Sequence, residues 1–257
     1  MSWESIRNLT LRSCNLSYYE SIANILSGCP ILETLELIYC RNLPQRLNLS
    51  KSLSLRRLEI KWSFKSSYPV EIVAPHIHYL KLTMYEESCT LVDVSSVTQA
   101  SLEIFFNNNF FWVAEFVQIM VLKMLEKLQN IERLTLGRTL LQMLSLAELC
   151  GRPFPMLRVQ TLIVETMVVR SAILEGIYPM VHCENAASNL SASFMELVLR
   201  NSKTLETIVV QFRSTPLALE CFAQLLQMPP TLPHNNNVSI VLNPSNYSLI
   251  ASVLSLI

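Results

Sequence analysis

The strongest constraint on this chain is a short phrase, apolar-x-x-Leu-x-Leu, that returns eight times. It runs as Ile6-x-x-Leu9-x-Leu11, Leu32-x-x-Leu35-x-Leu37, Leu55-x-x-Leu58-x-Ile60 and Ile77-x-x-Leu80-x-Leu82. It continues as Leu102-x-Ile104, Ile131-x-x-Leu134-x-Leu136, Val159-x-x-Leu162-x-Val164 and Leu205-x-x-Ile208-x-Val210. In the fifth copy Gln99 takes the leading apolar position. Within each copy apolar and polar residues alternate, which is the pattern of a short half-buried strand. A single copy has nothing to bury its apolar side against. The copies must therefore stack, and repetition in one direction stacks their strands into a parallel sheet.

The central residues of the first four copies are 26, 23 and 22 positions apart. These steps fall in the range of about 20–29 residues that marks leucine-rich repeats. The fold class expected is α/β: a leucine-rich-repeat solenoid, a curved parallel sheet with mixed helical and extended return segments. Ser17 to Ser27 reads as a helix, with Ile22, Ile25 and Leu26 on one face and Gly28 and Pro30 beyond it. Ser17 and Glu20 form a capping box in sequence. Between Pro44 and Val97 the returns read as extended chain. Beyond residue 106, helices are expected over Phe110 to Leu128 and Leu141 to Leu149, with Pro153 and Pro155 stopping the second. Further helices are expected over Ala192 to Asn201 and Thr215 to Met228, and a last edge strand over Val238 to Leu242. Residues 1–169 are read as the repeat array, and 170–257 as an irregular C-terminal cap continuous with it.

Twenty basic and twenty acidic residues balance, which argues against nucleic acid as a partner, since phosphate binding needs a basic surplus on one face. Only four glycines are present, and no G-x-S-x-G, G-x-x-x-x-G-K-[ST], H-E-x-x-H or G-x-G-x-x-G occurs. No catalytic residue and no cofactor is expected. The seven cysteines are odd in number and include no C-x-x-C, as in a reducing compartment. Together with an N-terminus lacking a secretory pattern, this gives an expected cytoplasmic or nuclear location. The stretch from Phe110 to Leu128 is interrupted by Glu115, Lys123, Glu126 and Lys127, so no membrane span is expected.

Several segments carry a family likeness. LSGCPILETLELIYCRNL (26–43), LNLSKSLSLRRLEI (47–60), VEIVAPHIHYLKL (70–82) and LVDVSSVTQASLEI (91–104) resemble plant F-box/leucine-rich-repeat proteins. LVLRNSKTLETIVVQF (197–212) and FAQLLQMPP (222–230) are similar to the C-terminal FBD-type segment of that family. The resemblance implies a protein-interaction module that recognises substrates for a cullin–RING ubiquitin ligase. It implies docking on a Skp-type adaptor only where an F-box lies upstream, since nothing ahead of Ser5 matches that pattern. The alternative is a ligase-independent repeat protein: an immune-receptor fragment, a decoy or a truncated gene product.

The candidate site is the concave face, where a protein partner is expected to bind. Outward strand positions supply Arg57, Lys61, Tyr79, Lys81, Glu103, Phe105 and Arg133, and Arg and aromatic residues dominate binding hot spots. Glu36, Glu59, Lys81 and Glu103 are expected to stack as a mixed-sign ladder. His76 and His78, with Cys89 and Asp93 nearby, are the only histidine pair with a metal-like spacing. The expected reading is instead two exposed neighbours of a buried Ile77, with no metal. His182-Cys183-Glu184 holds the residue types of a thiol nucleophile, but adjacent residues do not converge on one substrate.

Overall fold

A computed structural model describes residues 3–16, 19–62, 69–85, 89–105, 114–166, 202, 204–212 and 238–244. Each repeat phrase forms a strand. These are β1 (Asn8–Arg12), β2 (Thr34–Ile38), β4 (Arg57–Lys61), β6 (Tyr79–Tyr85), β8 (Gln99–Phe105), β9 (Arg133–Leu136), β10 (Thr161–Thr166) and β11 (Thr207–Phe212). A ninth, β12 (Ser239–Pro244), follows the last phrase. They pair in parallel in the order β1-β2-β4-β6-β8-β9-β10-β11-β12. The pairing of β10 with β11 carries this sheet across residue 170 into the C-terminal region.

Register follows the leucines. Leu9, Leu35, Leu58 and Leu80 are successive partners, as are Leu11, Leu37, Ile60 and Leu82. From β2 onward these side chains are at most 1% exposed. The fifth repeat corrects the sequence reading. Ala100, not Leu102, pairs with Leu80, and Leu102 pairs with Leu82. The leading apolar residue is therefore Val97, 2% exposed, while Gln99 is exposed on the other side. A small alanine in a leucine slot hid the true frame by two residues, which leaves the period of two intact and so gives no warning.

One backbone device repeats at the entry to each strand. The carbonyl of Arg56 accepts from the amides of both His78 and Tyr79, and that of His78 accepts from Thr98 and Gln99. Arg7, Glu33, Thr98, Glu132 and Gln160 do the same for the strands that follow them. Each coil is thereby locked to the next before the ladder begins.

The return segments come in two kinds. β3 (Arg46–Asn48), β5 (Val70–Val73) and β7 (Cys89–Asp93) form a second parallel sheet in that order. Its inward residues Leu47, Ile72 and Cys89 are at most 1% exposed. This agrees with the extended reading of residues 44–97 and adds the pairing. Helices serve elsewhere: α1 (Tyr19–Gly28), α2 (Ala114–Lys127) and α3 (Arg138–Leu149). Val117 and Leu125 of α2 and Leu140 and Leu144 of α3 join the core. No described helix is long and apolar enough to cross a membrane.

α3 ends by a device other than the expected prolines. Gly151 takes φ +67°, and the Arg152 amide donates to the Ala147 carbonyl at 3.0 Å. That is the six-to-one bond of a Schellman cap, so the helix has stopped before Pro153 is reached. Ser17, and the expected helices over 192–201 and 215–228, lie outside the described residues.

Candidate functional site

Alternation puts every second strand residue on the solvent face of the nine-stranded sheet, the face expected to be concave. The register then sorts these residues into rows across the strands. One row carries Arg57, Tyr79, Gln99 and Arg133. The next carries Glu36, Glu59, Lys81 and Ser101, and the third carries Lys61, Thr83 and Glu103. Phe105 sits opposite Tyr85 at the far end of β8. All seven sequence-derived site residues thus share one face. The expected ladder is corrected: Glu103 faces Thr83 and not Lys81, because the fifth repeat is framed on Ala100.

Within this face the structure gathers Arg57, Tyr79 and Lys81 around the carboxylate of Glu59. The Arg57 guanidinium stacks 3.7 Å from the centroid of the Tyr79 ring. Its Nε donates to Glu59 Oε1 at 2.8 Å, and a second guanidinium nitrogen reaches the same oxygen. Lys81 Nζ lies 3.9 Å from Glu59 Oε2. Glu59 is the least exposed of the three charged side chains, at 20%. It holds Arg57 flat over the ring and keeps Lys81 nearby. The sequence reading placed Glu59 on this face but left it out of the site; the signal was a carboxylate flanked by cations one strand step away.

Two further contacts shape the face. Lys61 Nζ lies 5.2 Å from the centroid of the Tyr39 ring. Tyr39 takes φ 54° immediately after β2, as Ser13 does after β1. That conformation is unfavourable for a bulky side chain, and it repeats at equivalent turns. Thr10 Oγ1 donates to Glu36 Oε2 at 3.0 Å. Glu103 packs against Gly137: a Cβ on Gly137 would lie 2.9 Å from Glu103 Cγ. The glycine after β9 therefore lets the neighbouring strand's acid lie flat.

Toward β12 the middle row of the same face turns apolar, while Glu165 on β10 keeps a carboxylate in the row beside it. Ile163, Val209 and Val241 are successive partners in the row that holds Glu59 and Lys81. Val241 is 44% exposed. The sequence reading missed this stripe. Its signal was the unbroken apolar runs Leu162 to Val164 and Ile208 to Val210, where alternation fails.

The histidine pair does not assemble a site with Cys89. His76 Nε2 lies 3.1 Å from the Ser50 carbonyl oxygen, His78 is exposed, and Ile77 between them is 1% exposed. Cys89 is fully buried beside Met84 Sδ at 3.6 Å, and burial pushes its thiol far up. No group of three potential metal ligands occurs among the described residues. His182, Cys183 and Glu184 lie outside them. An open cleft of about 690 Å³ lies at the strand-entry loops, between Glu126, Asn130, Met156, Arg158 and Thr204. It draws on none of the site residues above.

Comparison with known proteins places these features in a family. The family model for the leucine-rich repeats of FBD-associated F-box protein At5g56370 matches residues 1–106. F-box/LRR-repeat protein At5g02910 of Arabidopsis thaliana is 41% identical over 95% of this chain and 65% of its own length. F-box/LRR-repeat protein At3g03360 is 42% identical over 95% of this chain and 60% of its own. The chain thus spans less than two thirds of the length of these two relatives. A third Arabidopsis protein, Probable F-box protein At1g60180, is 38% identical over 95% of this chain and 88% of its own length.

Proposed function

The chain belongs to the plant F-box/LRR-repeat protein family, and we propose that its solvent sheet face selects a protein partner for a cullin–RING ubiquitin ligase. The adaptor of that ligase would be met through an F-box where the full protein carries one. The observation that carries the reading is the cluster on β4 and β6: Arg57 stacked on Tyr79 and oriented by Glu59. A guanidinium fixed over an aromatic ring is a preorganised contact. It loses little conformational freedom when a partner arrives, and such residues dominate interface energetics. The other candidate chemistry supplies no comparable arrangement among the described residues.

The test is affinity capture with the wild-type chain and with an Arg57→Ala/Tyr79→Ala variant. Both substitutions lie on the solvent face, so the leucine core is untouched and the melting temperature serves as a fold control. The expected outcome is loss of a defined partner in the variant, reproduced with purified partner and chain. A longer product carrying an F-box would capture a Skp-type adaptor as well. Equal partner binding by wild type and variant would overturn the assignment of this face.

A further inference from the structure

The partner face is built in two chemically different halves, and the difference specifies what lies across it. On β4 to β9 the outward cations Arg57, Lys61, Lys81 and Arg133 outnumber the outward carboxylates Glu59 and Glu103. Glu59 is already engaged by Arg57 and Lys81. Lys61 and Arg133 are exposed, and among the described residues neither makes an ion pair; the Lys61 ammonium lies 5.2 Å from the centroid of the Tyr39 ring. On β10 to β12 the middle row turns apolar through Ile163, Val209 and Val241. Half-exposed aliphatic side chains in the middle of a solvent face are unsatisfied surface, and Val241 is the most open of the three.

Resting on the assignment of this face to a protein partner, we infer that the occupant is an extended segment of that partner, acidic at one end and apolar at the other. It lies across the strands with its acidic end over Lys61 and Arg133 and its apolar end over Val209 and Val241. Strand addition is closed to it in the interior, because every strand of the nine-stranded sheet between its edge strands β1 and β12 is paired on both sides. Side chains must therefore make the contacts. From β4 to β12 the sheet steps through six strand spacings. At about 4.8 Å each this is roughly 29 Å, or about nine residues of extended chain. Charge attraction would orient the segment, and the apolar end would hold it.

The experiment is fluorescence anisotropy of the full chain with synthetic peptides of about nine residues. One peptide carries its acidic residues in one block and its leucines and valines in another. A second has the same composition in alternation, and a third has lysine in place of each acid. The block peptide is expected to bind about tenfold tighter than either control, a difference of about 1.4 kcal/mol. Its affinity is expected to fall as salt is raised. In a K61E/R133E protein, where both changes are on exposed side chains, the block peptide is expected to lose about tenfold, while the lysine peptide gains. Val209→Thr, which keeps the shape, is expected to weaken the block peptide alone.

Equal binding of block and alternating peptides, no binding of any peptide, or indifference to K61E/R133E would overturn the inference. Those results are separable from failure of the broader reading. If Arg57→Ala/Tyr79→Ala abolishes binding of the native partner while the peptides do not discriminate, the face is correct and the bipartite occupant is wrong. If the native partner ignores that double variant, the face itself is wrong.

Discussion

Leu80 and Lys81 are adjacent in the chain and opposite in environment. Leu80 is fully buried between Leu58 and Ala100, whereas the Lys81 side chain is 46% exposed beside Glu59. Leu80→Ala removes buried methyl groups and leaves a cavity that flanking strands cannot close. It is expected to cost about 2–5 kcal/mol in urea unfolding. Lys81→Ala loses a screened surface pair and is expected to cost less than about 1 kcal/mol. Comparable losses for the two would mean that the strand faces are wrongly assigned. Cys89 gives a chemical test of the same alternation. Burial holds its thiol protonated well above the ordinary cysteine range. Below about pH 8.5 the group is protonated whether the chain is folded or not, and its contribution to stability is fully present. As pH rises beyond that, only the unfolded chain ionises, so stability falls. In native protein, iodoacetamide is expected to label exposed Cys150 and spare Cys89. Peptide mass spectrometry should find Cys89 labelled only after denaturant is added.

At the scale of the element, the cap on α3 is the sharpest case. Gly151 holds φ +67° with no atom within 4 Å of where a Cβ would stand. Gly151→Ala therefore meets no clash, and its cost is purely the backbone penalty of a left-handed residue, about 1–2 kcal/mol. Gly151→Asn should cost less, since asparagine tolerates that region. A melting temperature unchanged in Gly151→Ala would show that the prolines stop the helix. The sequence reading chose the prolines because a lone glycine reveals its φ only once the bond from Arg152 to Ala147 is seen. Elements were legible in sequence where side chains alone decide them: the leucine pairs fixed eight strands and their common direction. They were less legible where two positions compete for one slot, as Ala100 and Leu102 do. The second sheet was legible as extended chain only. Its pairing depends on each coil's length, and the step from Leu80 to Ala100 spans just 20 residues.

For the whole molecule, what sequence hides is the sum over repeats. The solvent face was legible as a list of outward residues. The Glu59 hub and the apolar stripe of Ile163, Val209 and Val241 exist only once neighbouring coils are in register. Stability has the same origin. In a stacked array each coil draws its stability from itself and its nearest neighbours, so an end coil has half the interfaces of a central one. Among the described residues β1 pairs only with β2, and Leu9 and Leu11 are only half buried. Their partners Leu35 and Leu37 are 1% exposed, and Trp3 nearby is 44% exposed. β6, by contrast, pairs with both β4 and β8, and its Leu80, Leu82 and Met84 are fully buried. Opening β1 therefore breaks one ladder and wets little new apolar surface, whereas opening β6 breaks two and exposes the centre of the core. In native-state hydrogen exchange, amides of β1 are expected to exchange at least about tenfold faster than those of β4, β6 and β8. Raising denaturant toward the global transition should bring the rates together. If β1 is instead as protected as β6 throughout, its stability comes from beyond its nearest neighbour. The array would then unfold as one cooperative unit, not as a sum of coils.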